Sequence, residues 1–258
     1  MAHVSVHKEV KSIHAEGLEE MYRRIEENSV DVGMKINERK TQLLCMSQAI
    51  NYEVNSFINI GGERIWGGEE LKILGFHIGK RGDMGPHVKP MKKQFAAAVW
   101  MLRHLRRARL DERRLTAVYV SMIRSVLEYA SVVYGSMLTA GQSRMIERMQ
   151  ANALKTIWGW NKSYRECLEL SGLTTLEARR EENMRRFATK AAASERYSRW
   201  FPERRSTEHE LRRTEKYQVR FARHERLKKA PIYAMRRLLN EDAMETRSAG
   251  VNLDGYDQ

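Results

Sequence analysis

The stretch LDERRLTAVYVSMIRSVLEYASVVYGSMLT (110–139) carries the clearest helical pattern in the chain. Leu115, Val118, Tyr119, Met122, Ile123, Val126, Leu127, Ala130 and Val133 recur at three- and four-residue steps. That spacing lines apolar side chains along one face of an α-helix. Asp111 stands just before the pattern, where a short polar side chain can accept from the free N–H groups of a first helical turn. One continuous helix is predicted here.

The same period extends in both directions. Upstream, residues 87–108 place Phe95, Val99, Leu102 and Leu105 on one face, with Lys92, Lys93, Arg103, Arg106 and Arg107 on or near the opposite one. Downstream, Thr139 with Gln142, Ser163 with Glu166, and Thr174 with Glu177 have the spacing of reciprocal helix caps and predict three further helix starts. Gly159 and Gly172 sit where those helices should end. Helices are also predicted at 206–228 and 231–240, the latter opening on Pro231. SAGVNLDGYDQ (248–258) has no periodicity and reads as a frayed end.

Only the first third departs from this pattern. Val10, Ile13, Leu18, Met21, Tyr22 and Ile25 predict an amphipathic helix over 8–32, stopped by Gly33. KTQLLCMS (40–47) and VNSFINI (54–60) read as strands, and Gly61-Gly62 reads as a hairpin turn leading into ERIW. In LKILGFHIG (71–79), Gly75 interrupts the apolar run and suggests a bulge or a close backbone approach. The predicted fold class is therefore α+β, mainly α. A helix with short antiparallel strands is followed by a helical bundle and a basic helical tail. The predicted divisions are 1–80, 86–200 and 201–258, with GKRGDMGP (79–86) as the linker.

Charge follows the same division. Of 258 residues, 46 are Lys or Arg and 33 are Asp or Glu, a net charge of +13. Residues 1–85 carry −2, 86–160 carry +9, and 161–258 carry +6. A polyanion is the first partner such a balance suggests. The two cysteines, Cys45 and Cys167, exclude a disulfide scaffold and a Cys-cluster zinc site, and read as small apolar residues. No apolar run is long enough to span a bilayer and no signal-peptide pattern opens the chain, so an intracellular, soluble protein without membrane association is expected.

No catalytic constellation emerges from the residues. Acidic side chains in 1–85 alternate with basic ones, as on a solvated helix, and His3, His7 and His14 lack the spacing of metal ligands. The informative feature is RHLRRARLDERR (103–114), with Arg103, Arg106, Arg107, Arg109, Arg113 and Arg114. On a helix and its following turn these make a cationic ridge suited to bidentate phosphate contact, and Lys92 and Lys93 extend it. Trp100, Tyr119, Tyr134, Trp158, Trp160 and Tyr164 are interleaved at helical spacing and read first as core. Trp160 and Tyr164, beside Asn161 and Lys162, are the least core-like of them.

Several segments together resemble reverse transcriptases of non-LTR (LINE-type) retrotransposons. GMKINERKTQLLCMS (33–47) is similar to the GLxINxxKT motif that follows that family's YxDD box, through Gly33, Asn37, Lys40 and Thr41. LKILGFHIG, with Leu74 and Gly75, resembles the LG hairpin that grips the primer. YVSMIRSVLEYASVVYGSMLT (119–139), IERMQANALKTIWG (146–159), YRECLELSGLTTLEARR (164–180) and ERLKKAPIYAMRRLLN (225–240) resemble the thumb and tail in the family's order.

The resemblance implies the end of a palm, then a thumb, then a basic tail. Its expected partner is the phosphate backbone of RNA or of an RNA–DNA duplex. Lys40 matches a lysine near the leaving pyrophosphate of the intact polymerase. The family's catalytic aspartates would fall at Ala2 and His3, so no catalytic residue is carried over. Nor is a cofactor assigned to this chain, although the intact family uses Mg²⁺. A truncated or degenerate fragment with residual backbone binding is the leading expectation. Its rivals are part of an active polymerase cut by the gene model, and a helical interaction protein without catalysis. The oligomeric state is left open.

Overall fold

The computed structural model describes residues 15–37, 40–46, 57–203, 215–219, 221–222 and 225–251. They fall into two compact units, 1–87 and 88–258. The structure is mainly helical with two small sheets, as the apolar periodicity predicts.

The first unit opens with helix α1 (Ala15–Asp31). Leu18, Tyr22 and Ile25 are half-buried along one face, while Met21 is exposed. Val10 and Ile13 lie outside the described residues. Gly33, at φ 70°, ends the helix, and its N–H donates to the Val30 carbonyl at 2.9 Å. Strands β1 (Leu43–Leu44), β2 (Phe57–Ile60) and β3 (Glu63–Gly68) form a sheet in the order β1-β3-β2.

The β2–β3 hairpin is antiparallel and turns through Gly61 and Gly62 at φ 57° and 87°, the left-handed pair a type I′ turn requires. β1 instead joins β3 in parallel, a departure from the all-antiparallel expectation. The hairpin leaves one edge of β3 free, and β1 pairs there running in the same direction. Glu19 fastens α1 to β2 by accepting from the Asn59 backbone N–H at 2.7 Å.

A second hairpin joins β4 (Glu70–Ile73) to β5 (Phe76–Gly79). Gly75 is therefore not a bulge. With Leu74 it forms the turn, at φ 83° and 50° respectively. The segment read as a linker is a hydrogen-bonded turn. Gly79 N–H donates to the Asp83 carbonyl at 2.8 Å, Lys80 N–H to the Glu69 carbonyl at 2.9 Å, and Met84 is 1% exposed.

Helix α2 (Gly85–Arg107) presents Val88, Met91, Phe95, Val99 and Leu102 as a buried stripe. The long helix predicted after it is interrupted. Asp111 caps α3 (Glu112–Val118) by accepting from Arg114 N–H at 2.9 Å. A π-helical turn, Tyr119–Ile123, follows, then α4 (Arg124–Glu128) and α5 (Ser131–Tyr134). Leu115, Tyr119, Ile123, Leu127 and Ser131 are buried at four-residue steps, and Tyr134 and Leu138 are buried after them. An α-helix overshoots a full turn by about 40° at every such step, and the wider π turn takes up that drift.

Between α4 and α5 the chain breaks at Ala130, in the left-handed region at φ 57°. The break costs the Leu127 carbonyl its helical partner, and the buried Tyr134 hydroxyl donates to it instead. Met122 and Val133, expected on the buried stripe, are consequently exposed.

Helices α6 (Ala140–Trp158), α7 (Tyr164–Ser171) and α8 (Leu176–Ala192) complete the bundle. The reciprocal caps at Thr139/Gln142 and Ser163/Glu166 are both formed. The third is displaced: Thr175, not Thr174, caps α8, accepting from Ala178 N–H at 3.2 Å. The Thr174 carbonyl accepts from the Gln150 side chain at 2.9 Å, and Glu147 takes the N–H groups of Leu176 and Glu177.

Residues 201–258 belong to the same compact unit as 88–200. Helices α9 (Glu225–Lys228) and α10 (Pro231–Val251) occupy this region, and α10 packs on α8. Met184, Ala188 and Ala191 of α8 meet Ala234, Met235 and Leu239 of α10 around Phe201 and Tyr217. No helix spans 206–228. Residues 204–214 lie outside the described part, and Tyr217 is instead held in extended form by the Asn240 side chain, which bonds both its N–H and its carbonyl. The helix that opens at Pro231 runs on to Val251, so the start of the stretch expected to fray is helical.

Candidate nucleic-acid interface

Lys93 and Arg107 lie on the face of α2 away from its buried stripe, and Lys92 and Arg103 flank that stripe. Arg106, four residues after Leu102, is in line with it, a correction to the expectation of one opposite face. Lys92, Lys93, Arg103, Arg106 and Arg107 are all exposed. Arg109, in the turn just after α2, has φ 63°, an unusual choice for a side-chain-bearing residue. Arg109 N–H donates to the Arg106 carbonyl at 2.9 Å, closing the last turn. Arg113 and Arg114 begin α3, also exposed, and Arg114 pairs with Asp111 at 3.3 Å. Among the described residues, Arg103, Arg107, Arg109 and Arg113 have no acidic partner.

A shallow cleft of about 390 Å³ opens beside the end of α2, lined by Arg103, Arg106, Arg107, Thr156 and Trp160. Its construction starts with Arg106, whose guanidinium donates to the Thr156 carbonyl in the last turn of α6. The carbonyl end of a helix carries partial negative charge, so a guanidinium is well placed there. This contact fixes the end of α2 against the end of α6 and sets Arg103 and Arg107 beside the turn that follows α6. In that turn Gly159 adopts φ 114° and ψ 145°, a backbone conformation that residues with a side chain rarely take. A glycine is thus needed to present Trp160.

The cleft gathers three of the eight cationic residues singled out in the sequence. Arg109, Arg113, Arg114, Lys92 and Lys93 do not line it. One aromatic expectation is corrected: Trp100, read as core, is 61% exposed, while Trp160, read as one of the two least core-like, is 59% exposed and Tyr119 and Tyr134 are core. The position of Trp100 was readable, because it lies seven residues after Lys93 and seven before Arg107, on the cationic face rather than the Phe95 stripe. Thr156 carried no such signal, since its part is played by a backbone carbonyl.

The motif residues Gly33, Asn37, Lys40, Thr41, Leu74 and Gly75 lie in the first unit, and the thumb-like and tail-like segments in the second. Gly33 ends α1, and the Asn37 carbonyl accepts from Lys40 N–H at 3.1 Å and from the Thr41 hydroxyl at 3.3 Å. Lys40 is exposed, and Leu74-Gly75 is the β4–β5 turn. Ala2, His3, His7 and His14 fall outside the described residues. Among those described, no three His, Cys, Asp or Glu side chains converge as a metal site, and no helix is long and apolar enough to cross a membrane. Cys45 and Cys167 are free, Cys167 being buried. No protein-family model, curated protein or solved structure matches the chain.

Proposed function

We propose that this chain is a thumb-bearing segment of a reverse-transcriptase-type protein. Its task is to hold the phosphate backbone of RNA or of an RNA–DNA duplex. The observation that carries the reading is the pair Arg103 and Arg107. Both are exposed and without an acidic partner, and both are set at the rim of one cleft by the docking of Arg106 on α6. Guanidinium groups so disposed suit phosphate oxygens, and phosphate contacts position a duplex without reading its sequence.

Such binding weakens by about 0.9 log units per log unit of salt for each phosphate engaged. Reversing both arginines, Arg103→Glu with Arg107→Glu, therefore weakens duplex binding and makes the salt slope shallower by about two contacts. Arg196→Glu with Arg199→Glu changes the net charge equally at exposed positions elsewhere. Equal losses of affinity and slope in the two double variants, measured by fluorescence anisotropy across a KCl series, would reduce the ridge to generic charge and overturn the reading.

A further inference from the structure

The basic face of α2 carries more than charge. Trp100 is 61% exposed at its middle, and Trp160 is 59% exposed across the cleft. Each indole is held in place. The His104 ring packs against Trp100 at a tilt of 41° with centroids 3.9 Å apart, and its Nδ1 lies 2.9 Å from the Trp100 carbonyl oxygen. Trp160 is presented by the Gly159 turn and shares the cleft with Arg103 and Arg107. From Trp100 to Arg107 is seven residues, about 10.5 Å along the helix axis.

A paired duplex hides the faces of its bases, so an exposed indole adds nothing to a grip on duplex backbone alone. An unpaired strand offers both phosphates for the arginines and base faces for the tryptophans. Arginine-lined grooves with aromatic platforms are how proteins hold single strands without sequence preference. We infer that Trp100 and Trp160 stack the bases of an unpaired strand, so that the α2 face with its cleft takes the single-stranded extension adjoining a duplex. The inference rests on the backbone-binding reading above and adds the strand state of the nucleic acid.

Three probes separate the two claims: a blunt RNA–DNA duplex, the same duplex with a short unpaired extension, and the unpaired strand alone. The extension raises the affinity of the unaltered protein, and Trp100→Leu and Trp160→Leu each cut that gain by about tenfold. Blunt-duplex affinity stays unchanged in Trp100→Leu, whose indole lies outside the cleft, and the thermal midpoint stays unchanged in both variants. Trp100→Phe and Trp160→Phe, which keep an aromatic face, restore most of the gain, as mere apolar packing would not require. An extension that adds no affinity, or a gain that survives both leucine variants, overturns the inference while blunt-duplex binding stands. Tryptophan-dependent binding of the unpaired strand with no binding of the blunt duplex sustains the inference and overturns the backbone reading. Failure to bind any of the three probes overturns both.

Discussion

The Tyr119 hydroxyl donates to the Gln150 side-chain carbonyl at 2.6 Å, and both residues are wholly shielded from water. The Gln150 amide nitrogen in turn donates to the Tyr164 hydroxyl at 2.8 Å and to the Thr174 carbonyl at 2.9 Å, and Tyr164 donates to the Glu147 carboxylate. One polar side chain on α6 thus ties together the π turn, α7 and the entry to α8. Tyr119→Phe leaves the Gln150 oxygen buried without a donor, an expected loss of about 1–3 kcal/mol in urea unfolding. Gln150→Leu orphans the partner groups instead and costs at least as much. The two changes together are expected to cost less than their sum, because the apolar pair leaves fewer unmet groups. Strict additivity would mean that the bond does not hold the bundle.

Burial of these tyrosines also sets an alkaline limit. Desolvation pushes the Tyr134 phenol up from 10 to about 12. Burial raises Tyr119 further, with the neighbouring Tyr164 adding to it, and Tyr164 is raised by burial and by its bond to Glu147. Each folded-state value lies above the unfolded one, so the neutral phenols stabilise the fold fully below pH 10. That contribution is lost as pH rises from about 10 through about 12 and beyond. Thermal midpoints should fall over this window, with tyrosinate absorbance appearing together with unfolding. Tyr119→Phe, though less stable at pH 7, should show a shallower decline. Parallel pH profiles would sink the assignment.

What the sequence made legible is what depends on neighbours along the chain. The Phe95, Val99 and Leu102 stripe needs only the helical period, and the caps at Thr139 and Ser163 need only a side chain and the backbone three residues on. Where structure departs from expectation, a distant partner decides. Thr174 and Thr175 are equal candidates to cap α8 until Gln150, 24 residues away, takes the Thr174 carbonyl. Residues around Tyr217 have helical composition, yet Asn240 holds them extended. The π turn at Tyr119–Ile123 is invisible because three- and four-residue spacing fits either helix. Most of the cleft was readable, as the arginines of α2 and as Trp160, set apart from the core by its polar neighbours Asn161 and Lys162. The Thr156 carbonyl depends on where α6 ends.

Leu74 holds φ 50° at the first corner of the β4–β5 turn while 68% exposed. The left-handed region costs an ordinary L-residue roughly 1–2 kcal/mol, and asparagine followed by glycine is the preferred pair for such a turn. Leu74→Asn is therefore expected to stabilise the hairpin by about 0.5–1 kcal/mol. Amide hydrogen exchange at Ile73 and Phe76 should slow accordingly. Unchanged or faster exchange would show that the Leu74 side chain contributes packing that outweighs its backbone strain.

Arg106 differs from the arginines beside it. Arg103 and Arg107 have only solvent and the cleft to face, whereas Arg106 donates to the Thr156 carbonyl at the end of α6. Removing an exposed surface charge changes stability by no more than about 0.5 kcal/mol, while losing a hydrogen bond from a charged donor costs about 1.5–3 kcal/mol. Arg103→Ala and Arg107→Ala should therefore melt with the unaltered protein, and Arg106→Ala clearly below it. Arg106→Lys should recover part of the loss, since an ammonium can still reach a single carbonyl although it lacks the planar fork. Arg106→Glu should be the worst of the set, because it sets a carboxylate against a carbonyl at the negative end of a helix. For the same reason binding tests on this face use Arg103 and Arg107 and leave Arg106 in place. An Arg106→Ala protein that melts with the unaltered one would remove the contact that sets the cleft, and Trp160 would then need another anchor.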